Sequence, residues 1–124
     1  MALQNSGAVA FDCPGGESSV PSQSRPIDLA HLSRQTLGDR KVEQEVLALF
    51  VSQALAVRDR ILQANTSERF QLAHGLTGSA RGIGAFALAD CASEIEAHPG
   101  DPAALKRLTL LIDEVRDFIA AINR

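Results

Sequence analysis

From Pro26 onward, apolar residues recur at three- and four-residue spacing and strict alternation is never sustained, so the pattern predicts helices and no strands. In Ile27-Asp28-Leu29-Ala30-His31-Leu32, Asp28 is placed as an N-cap with Ile27 and Leu32 at staple positions. A short helix should run to about Leu37, where Gly38 ends it. Asp39 caps a second helix that keeps Val46, Leu49, Phe50, Val57 and Ile61 on one side and reaches about Ala64. After the turn Asn65-Thr66, Thr66 or Ser67 caps a third helix, and the glycines from Gly82 to Gly84 weaken its continuation. A fourth helix shows Leu88, Cys91, Ala92 and Ile95 at the spacing i, i+3, i+4, i+7 and is closed by His98-Pro99-Gly100-Asp101-Pro102. Asp101 then caps the last helix, with Pro102 at its first position and a seam through Leu105, Leu108, Ile112, Val115, Ile119 and Ile122.

Four long amphipathic helices joined by short turns predict an all-α fold. The expected architecture is an up-and-down antiparallel four-helix bundle with an additional short N-terminal helix lying over one end. The folded domain is expected over 26–124. Residues 1–25 hold five Ser, three Gly and two Pro without periodicity, the composition of a flexible tail. The chain has no Tyr or Trp and is rich in Leu and Ala, which favours helices packed through aliphatic ridges. A formal net charge of −3 supplies no electrostatic reason to bind nucleic acid or an anionic membrane. Cys13 and Cys91 are far apart, so no disulfide framework is indicated, and a reducing cytoplasm is the expected compartment. The start lacks a basic region, and Ala8-Val9-Ala10-Phe11 is too short for a signal core or a membrane span.

Candidate chemistry concentrates on the third helix. At about 100° per residue, Leu72, Leu76, Ala80 and Ile83 share one arc, and His74 falls roughly 150° from its centre, beside Phe70, Thr77, Gly78 and Arg81. The histidine should therefore face solvent with little bulk around it. An exposed neutral imidazole offers a nucleophilic nitrogen at neutral pH. Gly75 and Gly78 remove side chains where a second protein would close around His74, although two glycines inside a helix disfavour it by about 1 kcal/mol each relative to Ala.

The run Ala73-His74-Gly75-Leu76-Thr77-Gly78-Ser79-Ala80-Arg81-Gly82-Ile83-Gly84-Ala85 resembles the signature of histidine-containing phosphotransfer (HPt) domains. His74, Leu76, Gly78, Ser79, Ala80, Gly84 and Ala85 match it, and Ile95-Glu96 matches the family's downstream Leu-Glu pair. The resemblance extends from about Pro26 to the C-terminus. It departs where the family's usual Lys, three residues after the histidine, is Thr77; Arg81, one turn further on, is the candidate replacement for that charge.

The resemblance implies a phosphorelay intermediate without kinase activity of its own, with His74 accepting a phosphoryl group from a receiver-domain aspartate or a hybrid sensor kinase and passing it on. It implies no cofactor of its own, the Mg²⁺ being expected in the partner's receiver domain, and a monomer docking through the third helix with parts of the first and second. Arg81 and Thr77 can donate to phosphate oxygens from a solvated helix face, and Gln71 lies on the same side. Phe70 is placed either to meet an apolar patch on a partner or to touch the first helix. Glu96 is expected on the neighbouring helix, where the resemblance implies a polar group near the histidine, although simple surface exposure is the reading preferred for it. The competing class is a helical module that docks a receiver or kinase without being phosphorylated; a third is a purely structural adaptor. A metal site is not expected, because His31, His74 and His98 lie on separate elements. Gly82-Ile83-Gly84 is no dinucleotide loop, since no strand precedes it.

Overall fold

The computed structural model describes residues 25–123, so the expected tail, apart from its last residue, lies outside the described residues. Five helices follow in order: α1 (Leu29–Gln35), α2 (Arg40–Ile61), α3 (Thr66–Ile83), α4 (Phe86–Ala97) and α5 (Pro102–Ile122), with no strand among the described residues.

The helix starts are set by side-chain caps. Asp28 accepts the His31 N–H, Asp39 those of Lys41 and Val42, and Asp101 those of Ala103 and Ala104, each satisfying donors that a helix start leaves without a partner. At α3 the cap is Asn65, whose Oδ1 accepts the Glu68 N–H at 2.8 Å; Thr66, expected as cap or turn, is already helical. The helix ends come earlier than the sequence suggested. α1 stops at Gln35 because Leu37 and Gly38 both take positive φ, at 56° and 74°. α2 stops at Ile61 rather than near Ala64, and Arg69 reaches back from α3 to bond the carbonyls of Ile61 (2.9 Å) and Leu62 (2.7 Å). A guanidinium at that point supplies the donors that the last carbonyls of a helix lack.

Helix α2 packs against α3 and α5, and α4 packs against the same two, so the four long helices enclose one core; α1 rests on α3. Leu47, Ile61, Leu76, Leu88, Ile95, Leu108 and Ile112 are fully buried there. The α5 seam is buried from Leu105 to Ile119, with Ile122 partly covered. Leu49 departs from the expected stripe: Phe50 takes the core position and Leu49 is 74% exposed. Cys91 is buried with its thiol toward the Ala104 carbonyl, and burial pushes that thiol up from its usual pKa, as suits a packing role.

The α3–α4 turn is where α1 is fastened. The Asp28 N–H donates to the Gly84 carbonyl at 2.9 Å, and buried Ile27 anchors the entry to α1. Gly84 closes α3 at φ +87°, and a Cβ there would lie 2.8 Å from the Asp28 carbonyl oxygen. Both the left-handed backbone and the close approach demand glycine. This turn folds α4 back along α3 and brings its far end beside His74.

Candidate functional site: an exposed histidine with a carboxylate partner

Helix α3 buries Ala73, Leu76, Ala80 and Ile83, with Leu72 partly covered, and this turns His74 outward. The imidazole side chain is 72% exposed, near the middle of a helix that is closed at both ends by caps. A rigid element therefore presents a mobile-sized group to solvent in a fixed direction.

One ring nitrogen is engaged. His74 Nδ1 lies 2.9 Å from Glu96 Oε1, and the Thr77 hydroxyl lies 2.7 Å from Glu96 Oε2. The Glu96 side chain is only 19% exposed. Hydrogen bonds from Thr77 first and His74 second, with help from the nearby Arg81 charge, hold this carboxyl below the usual carboxylate range against the opposing effect of burial. An ionised carboxylate can only accept, so Nδ1 bears the proton in this contact, and Nε2 is the nitrogen the contact leaves free.

Two expectations are corrected here. Thr77 is not on a solvated face: it is 5% exposed, and its hydroxyl contacts Glu96 and the Ala73 carbonyl (2.8 Å) rather than solvent. On the helical wheel it lies between His74 and the apolar arc, and α4 packs over that side. Glu96 is not a free surface carboxylate either, because α4 carries it back to the level of His74. A signal for this was present, since His74 lies ten residues before Gly84 and Glu96 twelve after it, spacings that can meet across a tight helical hairpin.

The rest of the face divides in two. On the α2 side, Gly78 and Gly82 are exposed and a Cβ on either would meet nothing within 4 Å; one on Gly75 would reach Gln53 Nε2 at an ordinary 3.7 Å. Gln71 is also exposed there. This low strip leads to an apolar groove of about 370 Å³ between α1, α2 and α3, lined by Leu32, Val46, Leu49, Phe50, Ser79 and Gly82 among others. On the other side stand Arg81, exposed, and Phe70, whose ring stacks on His74 with centroids 5.8 Å apart and planes 6° from parallel. Phe70 thus supports the imidazole, and α1 packs at the other end of α3, where Ile27 and Asp28 meet Gly84. Among the described residues, no three His, Cys, Asp or Glu side chains are grouped to hold a metal ion, and no helix is long and apolar enough to cross a membrane.

Comparison with known families decides what this face belongs to. The model of the Hpt domain matches residues 45–118, which span most of α2, all of α3 and α4, and α5 as far as Phe118. The chain belongs to the Hpt domain family. Hpt domains are helical phosphohistidine carriers of two-component signalling, not kinases, and they work with receiver and kinase domains. No curated protein and no solved structure matches the chain.

Proposed function

We propose that the chain is a phosphorelay intermediate in which His74 accepts a phosphoryl group from a receiver-domain aspartate or a hybrid sensor kinase and donates it to a response regulator. The observation that carries this reading is an exposed imidazole, held on a capped helix and bordered by Gly78, whose Cβ position is open space. Phosphoryl transfer asks little of the carrier beyond position, because charge stabilisation falls to the acidic pocket and Mg²⁺ of the receiver. The protein brings the nitrogen and a surface that lets a second protein close over it.

Docking uses the exposed face of α3, the glycine strip and the adjoining parts of α1 and α2. Exposed Leu49 and Val42 give that edge its apolar area. A relay partner must leave after each transfer, so the interface is small and the affinity modest. Arg81, one turn beyond Thr77, is placed to offer charge to the transferred group, and Gln71 to donate a hydrogen bond. The domain works as a monomer in the cytoplasm, over 26–124.

The test is transfer from a receiver domain charged with labelled acetyl phosphate. The chain should acquire acid-labile, base-stable label, and His74→Gln should acquire none while keeping its helical spectrum. Binding of the receiver without any label on the wild type would favour the docking module instead.

A further inference from the structure

We propose that the apolar groove between α1, α2 and α3 is covered by this chain's own segment Ala8-Val9-Ala10-Phe11, which competes there with the relay partner. That the competition slows transfer rests on the reading above; the coverage itself does not.

The groove has a definite chemical character. Its walls are Leu32 from α1, Val42, Val46, Leu49 and Phe50 from α2, and Ile83 from α3, and its polar lining is two glutamines, a threonine and a serine with no charged side chain. Leu49 is 74% exposed and Val42 40%, so apolar area on this edge stands open to water. Contiguous open apolar surface marks a place where something docks. A volume of about 370 Å³ is at the small end of ligand sites, which span about 300–1,000 Å³, and it holds one or two large side chains rather than a helix face. Glutamine amides in the lining can pair with both the N–H and the C=O groups of an extended backbone.

The stretch before Arg25, outside the described residues, supplies an occupant of that chemistry. No charged side chain precedes Asp12, and Phe11 is the one aromatic residue before Pro26, at the end of the apolar run Ala8-Val9-Ala10-Phe11. Seating Phe11 in the groove leaves the Asp12 carboxylate in water, with no charge to bury. Position favours the same segment. Buried Ile27 and the bond from the Asp28 N–H to the Gly84 carbonyl fix where the chain enters the bundle, and Gly82 and Ile83, next to that point, line the groove. The connecting residues 12–26 include four Ser, three Pro and two Gly. A connection of that length spans roughly 20 Å on average, and the groove wall from Val42 to Gln53 is about 17 Å long at about 1.5 Å per residue. The segment therefore reaches every part of the groove, and tethering presents it there at an effective concentration on the order of 1 mM, so weak intrinsic binding gives substantial occupancy.

The covered edge is the one a relay partner needs. A chain with its groove filled is not competent to dock, and the apparent affinity for the partner falls in proportion to the open fraction. Occupancy of about two thirds weakens docking about threefold.

The cysteines make the segment easy to watch, since Cys91 is buried and Cys13 stands two residues from Phe11. A nitroxide attached to Cys13 of the isotope-labelled full chain should broaden the NMR signals of Leu32, Leu49, Ser79 and Gly82 and spare Leu110 on α5. Phe11→Asp should remove that broadening, keep the helical spectrum, and raise the rate of transfer from a charged receiver at limiting concentration by about threefold. Groove signals that stay sharp in the wild type, broadening that persists in Phe11→Asp, or a transfer rate unchanged once it is lost, overturns the proposal. Spin-labelled chain mixed with isotope-labelled chain bearing no nitroxide should show no broadening; broadening there assigns the groove to a second copy and overturns it too. If neither wild type nor Phe11→Asp takes up phosphoryl label, the phosphotransfer reading fails and the competition with it, while the nitroxide still decides whether the segment covers the groove.

Discussion

Replacing Gly84 by Ala should destabilise the protein far more than any other single-methyl addition on α3. The residue closes α3 at φ +87°, and a left-handed backbone costs a non-glycine residue about 1–2 kcal/mol. The added Cβ would sit 2.8 Å from the Asp28 carbonyl oxygen and 3.3 Å from Asp28 N and Cβ, all but the last of them backbone atoms that cannot swing aside. Relief requires the start of α1 to move, which lengthens the 2.9 Å bond from the Asp28 N–H to the Gly84 carbonyl and loosens buried Ile27. A hydrogen bond of that kind contributes about 1 kcal/mol. The sum is about 2–3 kcal/mol, and at roughly 4–8 °C per kcal/mol for a domain of this size the melting temperature should fall by about 8–24 °C. Gly82→Ala is the internal control: its Cβ meets nothing within 4 Å, and alanine is the better helix former by about 1 kcal/mol, so its melting temperature should hold or rise. Thermal denaturation followed by far-ultraviolet circular dichroism gives both values. Equal melting temperatures for the two variants would refute the claim that the α3–α4 turn fastens α1.

Three further outcomes follow from the site. Gly78→Leu should leave stability nearly unchanged and slow transfer from a charged receiver severely, since the new side chain enters open space beside His74; wild-type rates would mean the docking face is misassigned. Arg81→Ala should slow transfer by about tenfold at most, because a charge-assisted hydrogen bond at an exposed position is worth little more than about 1 kcal/mol; an unchanged stopped-flow rate would assign all the needed charge to the partner. Glu96 is held below the usual carboxylate range by Thr77 and His74, so it stabilises the fold above the ordinary glutamate pKa of about 4.3 and that contribution is lost as pH falls through the lower folded value. The melting-temperature gap between wild type and Glu96→Ala should therefore narrow below about pH 4, and a gap that widens there contradicts the assignment.

Much of this fold was legible in the sequence because its signals are local. Asp28, Asp39 and Asp101 each declare a helix start within three residues of themselves, and the α5 seam follows from periodicity alone. The outward direction of His74 follows in the same way from the arc of Leu76, Ala80 and Ile83. What periodicity cannot convey is which helix covers which flank. Thr77 looks solvated on an isolated wheel and is buried only because α4 folds back over it, and Glu96 gains its partner by the same turn. Leu49 shows the converse. It fits an apolar stripe, but neighbouring Phe50 fills the core and α1 leaves a groove rather than a lid over it. The end of α2 was misjudged for a related reason, since Arg69 terminates it from eight residues further along the chain.

The central claim is that His74 is a carrier rather than a docking ornament, and carriers must give back what they take. The most direct test starts with the full chain phosphorylated chemically by phosphoramidate, freed of reagent, and mixed with an unphosphorylated receiver domain and Mg²⁺. Label should leave His74 and appear on the receiver aspartate in step, faster than it is lost to water without the receiver. Label that stays on the chain, that decays equally with or without the receiver, or that resides on a residue other than His74, would contradict the account.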